Sequence, residues 1–280
     1  MRLILLGANG MFGRDASGFF RRRGHQVIPA DLPEVDITDA PSLQAWIGNH
    51  PADLVVNAAA YTDVDGAETH REEAFRVNAE GAGNAARACL ELKLPLVHIS
   101  TDYVFPGDNP GGYRPEDAPG PAVNVYGKSK LAGERLVESV LPEELRLVCR
   151  TQWLYGRHGK NFVDTIAALA RERDSLRIVN DQWGVPTHTL ELARQMTGLL
   201  ESGARGTAHT VGGAGPVTWY RVGCEIVKTL GSPCRVEPCA SQDFVRPAPR
   251  PRHAWLAAPE GVGESWTVTL TAYLAGSWTP

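Results

Sequence analysis

Short apolar runs alternate with longer amphipathic segments through the first half of this 280-residue chain. Apolar runs of strand length lie at residues 2–6, 26–30, 54–57, 95–100 and 146–149. Apolar positions recur with helical spacing at residues 11–23, 41–49, 69–92 and 121–139. Strands that alternate with helices form parallel βαβ units, and strands without apolar–polar alternation indicate a sheet covered on both faces. The pattern therefore predicts an α/β fold with a doubly wound parallel sheet.

The pattern loosens after residue 150, where proline and glycine become frequent, and proline is densest in residues 245–253. Helical spacing still occurs, but it alternates with loops, at residues 161–173, 189–202 and 219–230. We therefore expect a sheet domain at residues 1–150 and a smaller C-terminal lobe at residues 151–280. The boundary is approximate, and we expect the two lobes to be interleaved.

A glycine-rich loop follows the first predicted strand and opens the first predicted helix. Its sequence is Gly7-Ala-Asn-Gly10-Met-Phe-Gly13. Glycines allow a tight turn and a close approach of the backbone to a pyrophosphate, and the helix start presents free N–H groups. This context predicts a Rossmann-like site for a dinucleotide at Gly7, Asn9, Gly10, Met11, Phe12 and Gly13.

Asp31 ends the second predicted strand, 18 positions after Gly13. An acidic residue at this distance is placed to accept hydrogen bonds from the adenosine ribose, and its charge repels a 2′-phosphate. Arg14 and the run Arg21–Arg23 point weakly in the other direction. We expect NADH or NADPH as the cofactor, with NADH slightly favoured by Asp31.

Tyr126 and Lys130 lie four positions apart in a predicted helix, so they share one helix face. A neighbouring positive charge favours the phenolate, so Lys130 is expected to lower the pKa of Tyr126. A phenol tuned in this way can exchange a proton with a carbonyl oxygen. A solvated surface pair with no chemical role is the alternative.

Composition narrows the class of protein. Hydrophobic residues make up 43%, charged residues 21%, and the net charge is −4, so we expect a soluble protein without nucleic acid or membrane partners. No apolar run approaches the roughly 18 residues of a membrane span, and the N-terminal run is too short for a signal-peptide core. The five cysteines contain no Cys-x-x-Cys pair, so we expect no metal site and a cytoplasmic location.

Seven segments together resemble one family. They are the glycine loop, Asn57-Ala-Ala-Ala-Tyr-Thr-Asp-Val-Asp65, Ser100-Thr-Asp-Tyr-Val-Phe105, Tyr126-Gly-Lys-Ser-Lys130, Arg150-Thr-Gln-Trp-Leu-Tyr155, Gly159-Lys-Asn-Phe162 and Asp181-Gln-Trp-Gly-Val-Pro-Thr187. In order and spacing they are similar to the dTDP-4-dehydrorhamnose reductase family, within the extended short-chain dehydrogenases and reductases. The resemblance covers nearly the whole chain.

The resemblance implies roles for matching positions. Tyr126 is the implied proton donor, Lys130 its partner, and Thr101 the hydroxyl that hydrogen-bonds the carbonyl oxygen. Further cofactor contacts are implied at Asp36, Ile37, Ala58, Ala59, Ala60 and Asn78, besides Tyr126 and Lys130. Substrate contacts are implied at Thr62, Val64, Tyr103, Trp153, Asn161, Gln182 and Arg250, besides Thr101 and Tyr126.

The resemblance also implies a reaction, namely NAD(P)H-dependent reduction of the 4-keto group of a dTDP-deoxysugar, dTDP-4-dehydro-L-rhamnose to dTDP-L-rhamnose. The alternatives are a reductase or epimerase of another nucleotide sugar, and a non-catalytic nucleotide-binding regulatory subunit. A homodimer is possible. The chain departs from the family at Gln152 and Ala254, where serine is usual, and this leaves the identity of the sugar open.

Overall fold

The structure, a computed structural model, describes residues 1–258 and 261–277. These residues include twelve strands and ten α-helices. The strands are β1 (Arg2–Leu6), β2 (Gln26–Ala30), β3 (Leu54–Asn57), β4 (Leu96–Thr101), β5 (Arg146–Thr151), β6 (Leu154–Tyr155), β7 (Ser175–Val179), β8 (Trp183–Gly184), β9 (Thr187–His188), β10 (Gly206–His209), β11 (Val217–Thr218) and β12 (Arg235–Cys239). The helices are α1 (Met11–Arg22), α2 (Ala40–Gly48), α3 (Gly66–Thr69), α4 (Arg71–Phe75), α5 (Ala82–Leu92), α6 (Val125–Val140), α7 (Phe162–Glu172), α8 (Thr189–Glu201), α9 (Trp219–Thr229) and α10 (Trp266–Leu274). A π-helical segment, Arg76–Gly81, joins α4 to α5.

Six parallel strands form the central sheet in the order β10-β5-β4-β3-β1-β2. Alternate residues of β1 enter opposite cores: Leu3 and Leu5 pack with α1 and α8, and Ile4 and Leu6 pack with α2, α5 and α6. The predicted doubly wound α/β fold is confirmed. The strand order reverses at β1, so the connections leaving β1 and β3 diverge and open a crevice at their carboxyl ends.

The chain past residue 150 contributes to both lobes. Helix α8 packs on α1, and β10 extends the central sheet by pairing with β5. The second lobe has its own core, in which α7, α9 and α10 pack around residues such as Val222 and Leu270. The sequence pattern did not predict β10, because this strand lacks an apolar run and carries a single large side chain, His209, at its end.

The long helix predicted at residues 69–92 differs from the observed one. The helix breaks at His70, whose backbone leaves the helical region, and a π-helical segment interrupts it after Phe75. Within the described ranges, no helix is both long and apolar enough to cross a membrane. In the same ranges, no cluster of three or more His, Cys, Asp or Glu side chains could hold a metal ion.

Candidate active site

A cleft of about 1110 Å³ runs along the carboxyl ends of β1, β3, β4 and β5. Its walls also include the start of α1, the first turns of α6 and the loop after β6. Pockets for one drug-sized ligand usually occupy about 300–1000 Å³. The cleft is therefore large enough for two ligands placed side by side.

The glycine loop closes one end of the cleft. Gly7 has a φ of +79°, and a Cβ there would lie 2.5 Å from the backbone nitrogen of Ala59, so the turn requires glycine. Helix α1 begins at Met11, and its first N–H groups have no partner within the helix. The start of this helix therefore offers an anion site. The loop residues that line the cleft are Gly7, Asn9, Gly10, Met11, Phe12 and Gly13.

Asp31 lies at the end of β2 and holds the glycine loop from the side. Its Oδ2 accepts a hydrogen bond from the Asn9 N–H over 2.7 Å, and its Oδ1 accepts from the Leu32 N–H over 2.8 Å. These two bonds fix the carboxylate at the cleft rim. Each oxygen keeps further acceptor capacity, because an ionised carboxylate offers about four lone-pair positions.

The wall beyond Asp31 contains five other residues implied by the family resemblance: Asp36, Ile37, Ala58, Ala59 and Ala60. The Asp36 carboxylate accepts from the backbone N–H and the hydroxyl of Thr38, and the backbone bond is the main reason that its pKa is lowered. Its side chain thus orders the turn before α2. The three alanines follow β3 and leave the cleft floor open.

Thr101, Tyr126 and Lys130 come together at the carboxyl end of β4. Thr101 is the last residue of β4, and the other two lie in the first turns of α6. The Asn124 side chain caps α6 by accepting from the Gly127 N–H over 2.8 Å. The Thr101 hydroxyl is close enough to Tyr126 to lower the pKa of the phenol by hydrogen bonding. The predicted grouping of a hydroxyl, a phenol and an ammonium is therefore present in the structure.

The electrostatic prediction for Tyr126 was wrong in sign. Burial raises the pKa of Tyr126 to about 12, against the effect of the Thr101 hydrogen bond. Burial also lowers the pKa of Lys130 to about 8. The Lys130 ammonium donates to the Ile99 carbonyl over 2.7 Å and lies 3.5 Å from His98 Nε2. Desolvation outweighs the attraction between neighbours, so the phenol remains protonated at neutral pH.

The other half of the cleft carries four of the implied substrate residues: Thr62, Val64, Tyr103 and Trp153. Trp153 has a φ of +47°, which is unusual for a residue with a side chain and marks a position held by its surroundings. Its ring stacks on Trp219 with 3.5 Å between centroids. The Tyr103 and Tyr126 rings meet edge to face, 5.5 Å apart.

Four of the implied residues lie outside the cleft wall. Asn78 is 1% exposed and holds both backbone groups of Tyr61, so it buttresses the loop after β3. Asn161 caps α7 through the Asp164 N–H. Gln182 donates to Ser241, and Arg250 pairs with Asp65 over 2.9 Å. All four side chains therefore direct polar atoms to protein partners.

Several cleft residues were missed from the sequence. Trp219 follows the Thr218 cap of α9, far from Trp153 in the chain, so no local signal connected the two rings. His158 and Lys160 flank Gly159, the first residue of the segment Gly159–Phe162, and two basic side chains beside a glycine were a usable signal. The missed polar residues in the floor of the cleft include Ser100, Asp102, Thr151 and Gln152.

The residues present fit a dinucleotide. The glycine turn and the start of α1 suit a pyrophosphate, and the Asp31 carboxylate suits a ribose. The buried hydroxyls of Ser100 and Thr151, both on the cleft wall, lack a hydrogen-bond partner among residues 1–258 and 261–277. Buried polar groups are normally paired, so a bound molecule is the natural partner for these two.

The fold and the site together define a Rossmann-type protein with the Thr–Tyr–Lys grouping of short-chain dehydrogenases and reductases. The chain belongs to the family described as RmlD substrate binding domain, which it matches over residues 1–270. This match confirms the resemblance drawn from the motifs.

Named relatives cover nearly the whole chain. A dTDP-4-keto-6-deoxy-D-glucose reductase of Streptomyces niveus is 38% identical, over 96% of this chain and 95% of its own length. A dTDP-4-dehydrorhamnose reductase of Streptomyces griseus is also 38% identical, over 96% of this chain and 92% of its own. The crystal structure of a Bacillus anthracis dTDP-4-dehydrorhamnose reductase in complex with NADP superposes with a TM-score of 0.93, at 33% identity, over 98% of this chain and 99% of that one.

Proposed function

We propose that this protein reduces the 4-keto group of a dTDP-linked deoxysugar with NADH or NADPH, with dTDP-4-dehydro-L-rhamnose as substrate and dTDP-L-rhamnose as product. One observation carries the proposal: Thr101, Tyr126 and Lys130 converge on the cleft that the glycine loop closes. The names of two relatives, each 38% identical, support reduction of a dTDP-4-keto sugar.

The side chains divide the work of the reaction. A reduced nicotinamide dinucleotide, when bound, supplies the hydride. Tyr126 donates its proton to the ketone oxygen. Its pKa of about 12 keeps the phenol protonated at neutral pH before the reaction. Thr101 donates a hydrogen bond to the same oxygen. Lys130, one helical turn away, stabilises the phenolate left behind, and in the family it also holds the nicotinamide ribose.

The test measures oxidation of NADH and NADPH in the presence of dTDP-4-dehydro-L-rhamnose. Tyr126→Phe is expected to lose about a hundred- to ten-thousand-fold in kcat while its cofactor affinity is kept, because only the proton donor is removed. Tyr220→Phe, outside the cleft, is the matched control and should keep full turnover. Consumption of neither cofactor by the wild-type protein refutes the assignment.

The same assay separates the alternatives. An epimerase recycles its cofactor, so it converts sugar without net oxidation of NADH. A reductase of dTDP-4-keto-6-deoxy-D-glucose, the activity named for the Streptomyces niveus relative, oxidises NADH with that sugar and spares the rhamnose precursor. A regulatory subunit binds the nucleotide and turns over neither sugar.

We further propose that NADH is preferred to NADPH. The support is the fixed Asp31 carboxylate, whose charge at the end of β2 repels a 2′-phosphate. Asp31→Ser is expected to raise the ratio of kcat/KM for NADPH over NADH by about tenfold or more, because a like charge is removed from the phosphate position. An unchanged ratio, or a wild-type protein that favours NADPH, contradicts this preference.

A further inference from the structure

Gln152 connects the second lobe to the end of the sheet through two hydrogen bonds. The Leu256 N–H donates to Gln152 Oε1 over 2.8 Å, and Gln152 Nε2 donates to Asp102 Oδ2 over 3.3 Å. A backbone N–H can only donate, so it fixes which end of the amide faces Leu256. The NH₂ group of Gln152 is thereby directed to Asp102.

Asp102 in turn contacts the hydroxyl that the reaction requires. Thr101 Oγ1 donates to Asp102 Oδ1 over 2.9 Å and accepts from the Tyr103 N–H over 3.3 Å. A threonine hydroxyl has a single proton to donate. While Asp102 receives that proton, Thr101 has none for a ketone oxygen.

We propose that Asp102 is a positioning residue whose protonation state directs the Thr101 hydroxyl, and that Gln152 determines which Asp102 oxygen carries the proton. When Asp102 is neutral, the proton lies on Oδ1, because Oδ2 accepts from Gln152. Oδ1–H then donates to Thr101, and the Thr101 proton turns toward the cleft. When Asp102 is ionised, the Thr101 proton points back to the carboxylate. The inference rests on the proposed reductase function, in which Thr101 donates to the ketone.

The environment of Asp102 supports a carboxyl that changes charge near neutrality. Asp102 is 2% exposed, and burial raises its pKa to about 7. Hydrogen bonds from Thr101, from the backbone N–H groups of Asp102 and Tyr103, and from Gln152 oppose this shift. The charge of Asp102 raises the pKa values of the Tyr103 and Tyr126 phenols, and the charges of Arg250 and Asp65 also act on Tyr103.

The length of the Gln152 side chain suits this role. The Gln152 amide reaches Asp102 and the Leu256 backbone at the same time, and the residue is 2% exposed. A serine hydroxyl is too short to span the two partners. Without the amide, the side chain at position 152 donates no hydrogen bond to Asp102 Oδ2, so either carboxyl oxygen of Asp102 can carry the proton.

The first experiment follows the carboxyl itself in the full-length protein without substrate. Aspartate labelled with ¹³C at Cγ is titrated by NMR in the wild-type protein, in Asp102→Asn and in Gln152→Leu. We expect one carboxyl signal that titrates near pH 7 and is missing from Asp102→Asn. In Gln152→Leu, which retains the carboxyl, the same signal should titrate at higher pH, because a donor to the anion is lost. Titration of all aspartates below about pH 5 overturns the proposal.

The second experiment compares kcat of the wild-type protein with that of Asp102→Asn across pH. The amide oxygen of this variant faces the Gln152 NH₂, so its own NH₂ is presented to Thr101 and imitates neutral Asp102 at every pH. The ratio of wild-type to variant kcat is expected to fall about tenfold between about pH 6 and pH 8. A ratio independent of pH overturns the proposal, since a merely structural role of Asp102 predicts that result. If neither protein reduces the sugar, the reductase function fails, and the carboxyl titration by itself supports or overturns the inference.

Discussion

Replacing Gly13 by alanine is expected to weaken cofactor binding without unfolding the protein. A Cβ at Gly13 would lie 2.8 Å from Ala8 Cα and closer still to the Gly7 carbonyl oxygen, where ordinary contacts begin at 3.4 Å. The start of α1 must therefore move by roughly 1 Å away from the loop. Overpacking of this kind costs about 1–3 kcal/mol, and the higher helix propensity of alanine returns about 1 kcal/mol.

The shift has a larger effect on a bound pyrophosphate. Its hydrogen bonds from the loop and from the start of α1 are charge-assisted, and each contributes about 1.5–3 kcal/mol. Loss or lengthening of one such bond raises the Kd for NADH by roughly ten- to a hundredfold. The dissociation constant is measured by the change of nicotinamide fluorescence, and stability is measured by thermal unfolding.

Gly198→Ala is the matched control. Gly198 is also a helical glycine, in α8, but a Cβ there meets no atom within 4 Å. This variant should gain up to about 1 kcal/mol of stability from helix propensity and keep its Kd. A Gly13→Ala protein that binds NADH within twofold of the wild-type protein refutes the assignment of this loop to the pyrophosphate.

Three other variants probe the buried charges and the stacked rings. Lys130→Met should abolish turnover yet raise the free energy of unfolding by roughly 1–3 kcal/mol, because burial lowers the pKa of Lys130 to about 8. This gain in the free energy of unfolding is complete below pH 8 and decreases as pH approaches 10.5. A gain that increases with pH in chemical denaturation contradicts the prediction. Glu134→Leu should cost about 3–5 kcal/mol in urea unfolding, because Arg150, its partner at 2.9 Å, is left buried and unpaired; a cost below about 1 kcal/mol contradicts this. Trp219→Ala should raise KM for the dTDP-sugar about tenfold by removing the support of Trp153, with the Kd for NADH kept; an unchanged KM shows that the stack does not order the site.

Much of the fold could be predicted because its signals are local. The strands β1, β2 and β3 were predicted with their observed bounds. Five of the seven predicted helices agree within one or two residues with the observed ones, which are α1, α2, α7, α8 and α9. An apolar run bounded by glycine or aspartate specifies a buried strand without reference to the rest of the chain. The strand β10 has no such run, because its residues are Gly206, Thr207, Ala208 and His209, and it became visible only in the sheet.

In the candidate site too, the features with local sequence signals could be predicted. The glycine loop, Asp31 and the Tyr126–Lys130 spacing could be found from the sequence, because each depends on residues close together in the chain. The Asp31 contact with Asn9 and the grouping of Thr101 with α6 follow from the parallel sheet, which brings carboxyl ends to one edge.

The tertiary structure alone decided the rest. The bond from Gln152 to Asp102 spans 50 positions, and the stack of Trp153 on Trp219 joins two distant loops, so neither has a local signature. The pKa of Tyr126 is raised, although the sequence predicted that it is lowered. Residue spacing places a cation nearby, but only packing determines how far the phenol is removed from water. The sequence by itself thus determined which groups are present and on which elements they lie. Packing determined their contacts and charge states, because desolvation and long-range pairing arise only when the elements come together.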